Sequence, residues 1–225
     1  MSGSLLNITL HIGSPLGPEG HNFWLFALAS LMLNITPGND MLFVIARSTS
    51  QGVKAGIISS LGIGVGCMVH IFAAVIGLSA LIAQSAVAFS VIKYIGAGYL
   101  VYLGVLAVIS KRNTLNISTQ KEKITYSKMF WQGAITNVLN PKVALFFLAF
   151  LPQFIDISAK HAWPQILFLG VWFDAGGTLV NILVAILFGR AGVWFSKSAW
   201  FQKWQNKITG VILIGLGVKV AVSKT

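Results

Sequence analysis

Charge is what this sequence has least of. Only 9% of its 225 residues are Asp, Glu, Lys or Arg, against about 25% in soluble domains. Hydrophobic residues make up 56% and the mean hydropathy is +0.80. That excludes a soluble globular domain and a disordered chain. Cysteine is nearly absent too. Cys67 stands alone, so an intrachain disulfide, a CxxC redox pair and a zinc knuckle are all excluded. No His-rich tract offers a metal site, and no cofactor is called for. No segment alternates apolar with polar residues as a lipid-facing barrel requires. Residues 1–22 contain no Lys or Arg, so the basic start of a cleaved signal peptide is missing.

What is present is a series of long apolar runs, at roughly 23–46, 55–83, 86–110, 129–152, 164–189 and 205–222. Each is long enough for a transmembrane helix. The fold expected is therefore an all-α membrane protein of six transmembrane helices. Residues 1–22 form a tail, and 23–225 one transporter-sized domain with a connecting loop at 111–128. The net charge of +11 would suggest nucleic acid in a soluble protein. Here the basic residues fall between the spans and report topology instead. Of the 16 Lys and Arg, eleven lie in the first, third and fifth loops, four lie on the opposite side, and Lys142 lies inside a span. The positive-inside rule then places both termini outside and the odd loops in the cytoplasm.

The chain also looks duplicated, with one half over about 23–110 and the other over about 129–222. Thr36-Pro37-Gly38-Asn39-Asp40 interrupts span one, and Asn140-Pro141-Lys142 interrupts span four. From Pro37 to His70 is 33 residues, and from Pro141 to Asp174 is also 33. Three spans per half means opposite orientations. The expectation is two inverted three-helix repeats with Pro-broken first helices, an arrangement of secondary transporters.

Charges at membrane depth cost about 2.5–3.5 kcal/mol each on insertion scales. Asp40, Lys142 and Asp174 are such charges, and His70 is a further ionisable group. Asn34, Asn39, Asn137, Asn140 and Asn181 add amides. These should face a protein-lined or watery cavity. A proline mid-span breaks the helix, and the half-helix that follows starts with unpaired N–H groups and a positive dipole end. Lys142 adds a cation there, which suits a carboxylate. Asp40 could meet an ammonium. A zwitterionic amino acid carries both groups.

Plainer readings stand beside these. The prolines could be packing kinks, Lys142 and Asp174 a structural ion pair, Asp40 a helix N-cap, and His70 a hydrogen-bonded interior residue rather than a proton carrier. Asp174 shares a helix face with Thr178 and Asn181. Gly176 and Gly177 beside it soften the helix, as for a gate or a line of interhelical hydrogen bonds. Gly62 and Gly66 read as a close-packing face, and Cys67 as a small packing residue.

Three stretches resemble the LysE/RhtB family of bacterial amino-acid exporters: TPGNDMLFVIARSTSQGVKAGIISSLGIGVGCMVH, GAGYLVYLGVLAV, and FWQGAITNVLNPKVALFFLAFLPQF. The resemblance runs from about residue 23 to the end. It implies a six-helix inner-membrane exporter, similar to proton-motive-force-driven antiporters, with no cofactor. Its partners would be an amino acid, protons and the lipid bilayer, with no nucleic acid; a homo-oligomer is left open. By position the family's motifs fall on Pro37, Gly38, Asp40, Asn140, Pro141 and Lys142, and its buried fifth-helix acid on Asp174. Two departures stand out. The family often has Pro where Asn39 stands, and many members carry an acid near Cys67. Loss of that acid favours a small neutral amino acid such as threonine, homoserine or leucine over a basic one. The first 20 residues extend beyond the usual family start, as an extra tail or a mis-assigned start.

Function therefore reads as export by alternating access. Lys142 holds the carboxylate and Asp40 or Asp174 the ammonium, while one acid, with or without His70, carries a proton. Burial disfavours the charged form of a carboxylate, which makes proton uptake reasonable. A thiol–disulfide carrier fails for want of a second cysteine. A metal or cation exporter lacks ligand clusters. An intramembrane acid–base enzyme using Asp40, His70 and Asp174 lacks a nucleophile or metal.

Overall fold

Proline and glycine decide where the helices stop. The computed structural model describes residues 20–84, 124–155 and 162–191, with isolated helical positions between 91 and 109 and between 207 and 222. Beyond those isolated positions, the expected third and sixth spans, most of the 1–22 tail and most of the 111–128 loop lie outside the described residues. Among the described residues every regular element is helical.

Helix α1 spans Gly20–Ile35 and α2 spans Asn39–Gln51. Between them Thr36 precedes Pro37, and a residue before proline is pushed out of the helical region. The Thr36 N–H still closes on the Met32 and Leu33 carbonyls, at 3.1 and 3.2 Å, and then the ladder ends. The two helices meet at a 49° bend. Gly52 closes α2 with φ +87 while its N–H reaches the Ser48 carbonyl, a left-handed stop that only glycine takes freely. Helix α3 then runs unbroken over Val53–Gln84.

The second half repeats the device with a different residue order. Helix α4 spans Tyr126–Val138 and is capped by the Thr125 side chain, which accepts from the Lys128 N–H. Helix α5, Pro141–Leu145, starts with Asn140 as cap and Pro141 at the first helical position, where a proline's missing N–H costs nothing. It continues through a π turn, Phe146–Phe150, into a 3₁₀ turn, Leu151–Phe154. The bend between α4 and this continuation is 45°. Helix α6, Trp163–Ala191, crosses without a break.

Helices α3 and α6 are each long and apolar enough to cross a membrane; up to four spans result if each bent pair counts as one. Their outer faces agree. On α3, Leu61, Val65, Val69, Phe72 and Ile76 are exposed at helical spacing, an apolar stripe that water would not tolerate but lipid would. The inner face of α3 is small and lies against α2, α4 and α6. Gly62 and Gly66 meet the Phe130 and Ala134 carbonyls of α4, and Gly133 meets the Ser59 carbonyl of α3. The close-packing face expected from the sequence is therefore the α3–α4 seam. At one end of the bundle Phe26, Phe146, Phe147, Phe150 and Phe173 form an aromatic core with Ile71 and Ile166. At the other end Arg47 bonds Gln132, Lys54 lies over the Tyr126 ring and Gly189 packs on Val53. The basic helix ends thus gather on one side.

The seam gives a paired test. In Gly62→Ala the new methyl meets backbone that cannot step aside, and a loss of about 1–3 kcal/mol is expected, read as a lowered Tm in detergent. Gly77 has nothing within 4 Å of an added methyl. Gly77→Ala is expected to raise Tm through a gain of about 0.5–1 kcal/mol.

Candidate functional site

The two breaks converge on one small cavity, and each contributes a charge. From α1 and the first break come Asn34 and Thr36, and from the first turn of α2 come Asp40 and Met41. The end of α4 gives Asn137, and α5 gives Lys142 and Val143. The long helices supply Ile63 and Cys67 from α3, and Phe173, Asp174, Gly177, Thr178 and Asn181 from α6. The cavity measures about 30 Å³, room for one or two waters. It does not fit a solute the size of an amino acid in this conformation.

Lys142 is the central group. Its ammonium donates to the Leu33 carbonyl at 3.1 Å and the Thr36 carbonyl at 3.0 Å. These carbonyls lie in the last turn of α1, where helical partners run short, at the negative end of its dipole; the Leu33 carbonyl also takes the Thr36 N–H at 3.2 Å. An ammonium has three donors, so one N–H remains. The absence of a side chain at Gly38 makes the approach feasible: a Cβ there would lie 3.1 Å from Lys142 Nζ. The negative charge felt at Lys142 is that of Asp40, across the two breaks, but the ammonium's hydrogen bonds go to backbone carbonyls.

Asp40 sits in the first turn of α2, behind the extended cap residue Gly38. It is therefore not the N-cap. Its Oδ2 accepts from Asn137 Nδ2 at 2.8 Å. Asn140 lies beside the same carboxylate, but Asn140 Nδ2 and Asp40 Oδ1 are both buried without a hydrogen-bond partner, as is Asn137 Oδ1. Asn140 spends its oxygen on the Lys142 N–H at 3.0 Å. A buried orphaned group costs about 1–3 kcal/mol, so two of them on residues lining one cavity, Asp40 and Asn137, mark a place built to take something polar.

Asp174 lines the same cavity from α6, within reach of Cys67 and Thr178. Gly64 makes room for that pair, since a Cβ there would lie 2.8 Å from Thr178 Oγ1. The long helices also brace the breaks. His70 Nε2 pairs with the Asn137 carbonyl at 3.0 Å, and Asn34 Nδ2 donates to the Phe173 carbonyl at 3.0 Å. Gly177 faces the Asn34 amide within an uninterrupted α6, so Gly176-Gly177 admits a neighbour instead of breaking the helix. Phe173 stacks on Phe146 with ring centroids 4.0 Å apart, which ties the cavity wall to the aromatic core.

Of the residues singled out from sequence, Asp40, Lys142, Asp174 and Asn181 line the cavity. Pro37 and Gly38 shape the first break, with Asn39 exposed beside it; Asn140 and Pro141 shape the second; His70 braces it. Asn34, Thr36, Asn137, Cys67 and Thr178 complete the polar wall. The signal for the two asparagines was there, as amides at membrane depth next to a proline break. Thr178 was spaced one turn from Asp174, Thr36 stood in the first break, and Cys67 read only as a packing residue.

The family model for the LysE type translocator matches residues 31–224. The chain belongs to the LysE type translocator family. Relatives extend along nearly the whole chain. The uncharacterized membrane protein YrhP of Bacillus subtilis is 32% identical over 211 residues, covering 90% of this chain and 100% of that protein. An uncharacterized membrane protein of Vibrio cholerae is 32% identical over 207 residues, covering 89% and 97%. The leucine efflux protein of Salmonella typhimurium is 24% identical over 200 residues, covering 89% and 94%. No solved structure matches the chain. A LysE translocator moves solutes across a membrane, which gives the cavity its context. Among its described residues no three His, Cys, Asp or Glu side chains gather as a metal ligand set.

The Asp40–Asn137 bond is open to direct test. Asn137→Leu removes the donor and leaves the carboxylate buried, and should lower stability by about 1–3 kcal/mol. Detergent melting curves check this; an unchanged Tm would mean that Asp40 finds another partner.

Proposed function

We propose that this LysE translocator exports a small neutral amino acid across the bacterial inner membrane by alternating access, driven by the proton-motive force. The observation that carries the reading is the placement of Lys142 and Asp40, of opposite charge, on the wall of one small cavity. The remaining N–H of Lys142 would take the substrate carboxylate. Asp40, through its unpartnered Oδ1, or Asp174 from α6 would take the ammonium. Met41, Ile63, Val143 and Phe173 offer an aliphatic side chain its apolar surface. The missing acid near Cys67 and the leucine efflux relatives both favour a neutral substrate, with leucine, threonine and homoserine as first candidates.

The reading includes two inverted three-helix halves. The matched 33-residue spacings, the similar bends of 49° and 45°, and the bracing of each break by the other half's long helix support it. The gathering of Arg47, Lys54, Lys128 and Arg190 at one end supports a cytoplasmic assignment for that end and both termini outside. The proton would ride on Asp40 or Asp174, with His70 as bracing residue.

Export is measured in cells lacking other exporters, loaded with dipeptides of leucine, threonine, homoserine and lysine in turn. Uncoupler-sensitive appearance of one neutral amino acid outside is expected. Lys142→Ala at normal membrane levels should lower that flux about 10–150-fold, the loss of one charged hydrogen bond. Undiminished flux would sink the role of Lys142, and no flux of any neutral amino acid would sink the substrate class.

A further inference from the structure

The Lys142 ammonium occupies an oxygen cage. Two of its walls are the Leu33 and Thr36 carbonyls, at 3.1 and 3.0 Å, where α1 ends. Carbonyls at a broken helix's C-terminal end are the groups that coordinate alkali cations in secondary transporters with broken helices. Asp40 supplies one negative charge felt at Lys142. Its Oδ1 and Asn137 Oδ1, on the same cavity, are buried acceptors that the ammonium does not bond. Hard oxygen ligands with a single carboxylate suit a small monovalent cation better than a divalent one. The cage is filled by a side chain from the other break, and the bare backbone at Gly38 lets it in.

We propose that the Lys142 ammonium is a tethered substitute for an alkali cation: it occupies a monovalent-cation site between the two helix breaks. The native chain then needs no sodium to hold this conformation, and removing the ammonium uncovers a site for a free cation. The link to transport coupling rests on the export reading; the site itself does not.

The test needs no solute. The full chain, purified in detergent, is melted in choline chloride and then in sodium, lithium or potassium chloride at equal ionic strength. The wild type is expected to melt alike in all four. Lys142→Ala should melt lower in choline and recover by about 2–4 °C in at least one alkali salt, as ligand binding to the folded state does. Adding Asp40→Asn should remove that recovery. Recovery in none of the salts, or recovery that survives Asp40→Asn, overturns the proposal. So does an alkali salt that stabilises the wild type over choline, a result readable even where Lys142→Ala does not fold; Lys142→Met, which keeps most of the stem, then takes its place. A failure here leaves the export reading standing, and absence of export leaves the melting result intact.

Discussion

One side chain joins the two proline breaks among the described helices. Ending a helix inside a bilayer exposes carbonyls that nothing in lipid can satisfy. The chain meets that problem at α1 with the Lys142 ammonium, delivered from the opposite break. The same bond answers a second problem, since a lysine at membrane depth needs partners as badly as the carbonyls do. Each defect satisfies the other. Asp40 and Asn137 follow from it: the cation favours a carboxylate nearby, and the carboxylate needs a donor, which the end of α4 supplies.

Much of this was legible in the sequence. Pro37 and Pro141 in apolar runs gave both breaks, because proline's effect is local and steric. Asp40, Lys142 and Asp174 gave much of the site, because a charge at membrane depth is too costly to face lipid and must turn toward protein or water. What the sequence could not give was pairing. Lys142 and Asp174 read as a candidate ion pair, yet the ammonium bonds the carbonyls at the end of α1 and the charge it feels is that of Asp40, which only the meeting of the two breaks decides. The role of Asn140 was also hidden. Asn-Pro-Lys reads as a ligand motif, while in space the asparagine is first a helix cap. Cys67 read as a packing residue and is buried in the core, but its neighbour is Asp174, a relation between residues more than 100 apart in the chain.

The two breaks solve one problem in different ways. Pro37 stands ahead of the helix it precedes, with extended Gly38 as the cap. Pro141 is itself the first helical residue, behind an asparagine cap. The first arrangement leaves backbone bare, so a foreign side chain can approach. The second is self-capped and needs less help. The asymmetry explains why the cation crosses from the second break to the first.

The π turn at Phe146–Phe150 bears on how such chains vary in length. A π turn holds one more residue than an α turn. Deleting one residue there would let the segment relax into ordinary α-helix, leaving Lys142 and everything before it in place. All that follows within the segment keeps its register, because the deletion removes only the surplus. A deletion a turn earlier would instead rotate the downstream faces by about 100° and turn the buried phenylalanines toward lipid. The wide turn is thus the one point in this arm where the chain can change length without changing which residues face inward.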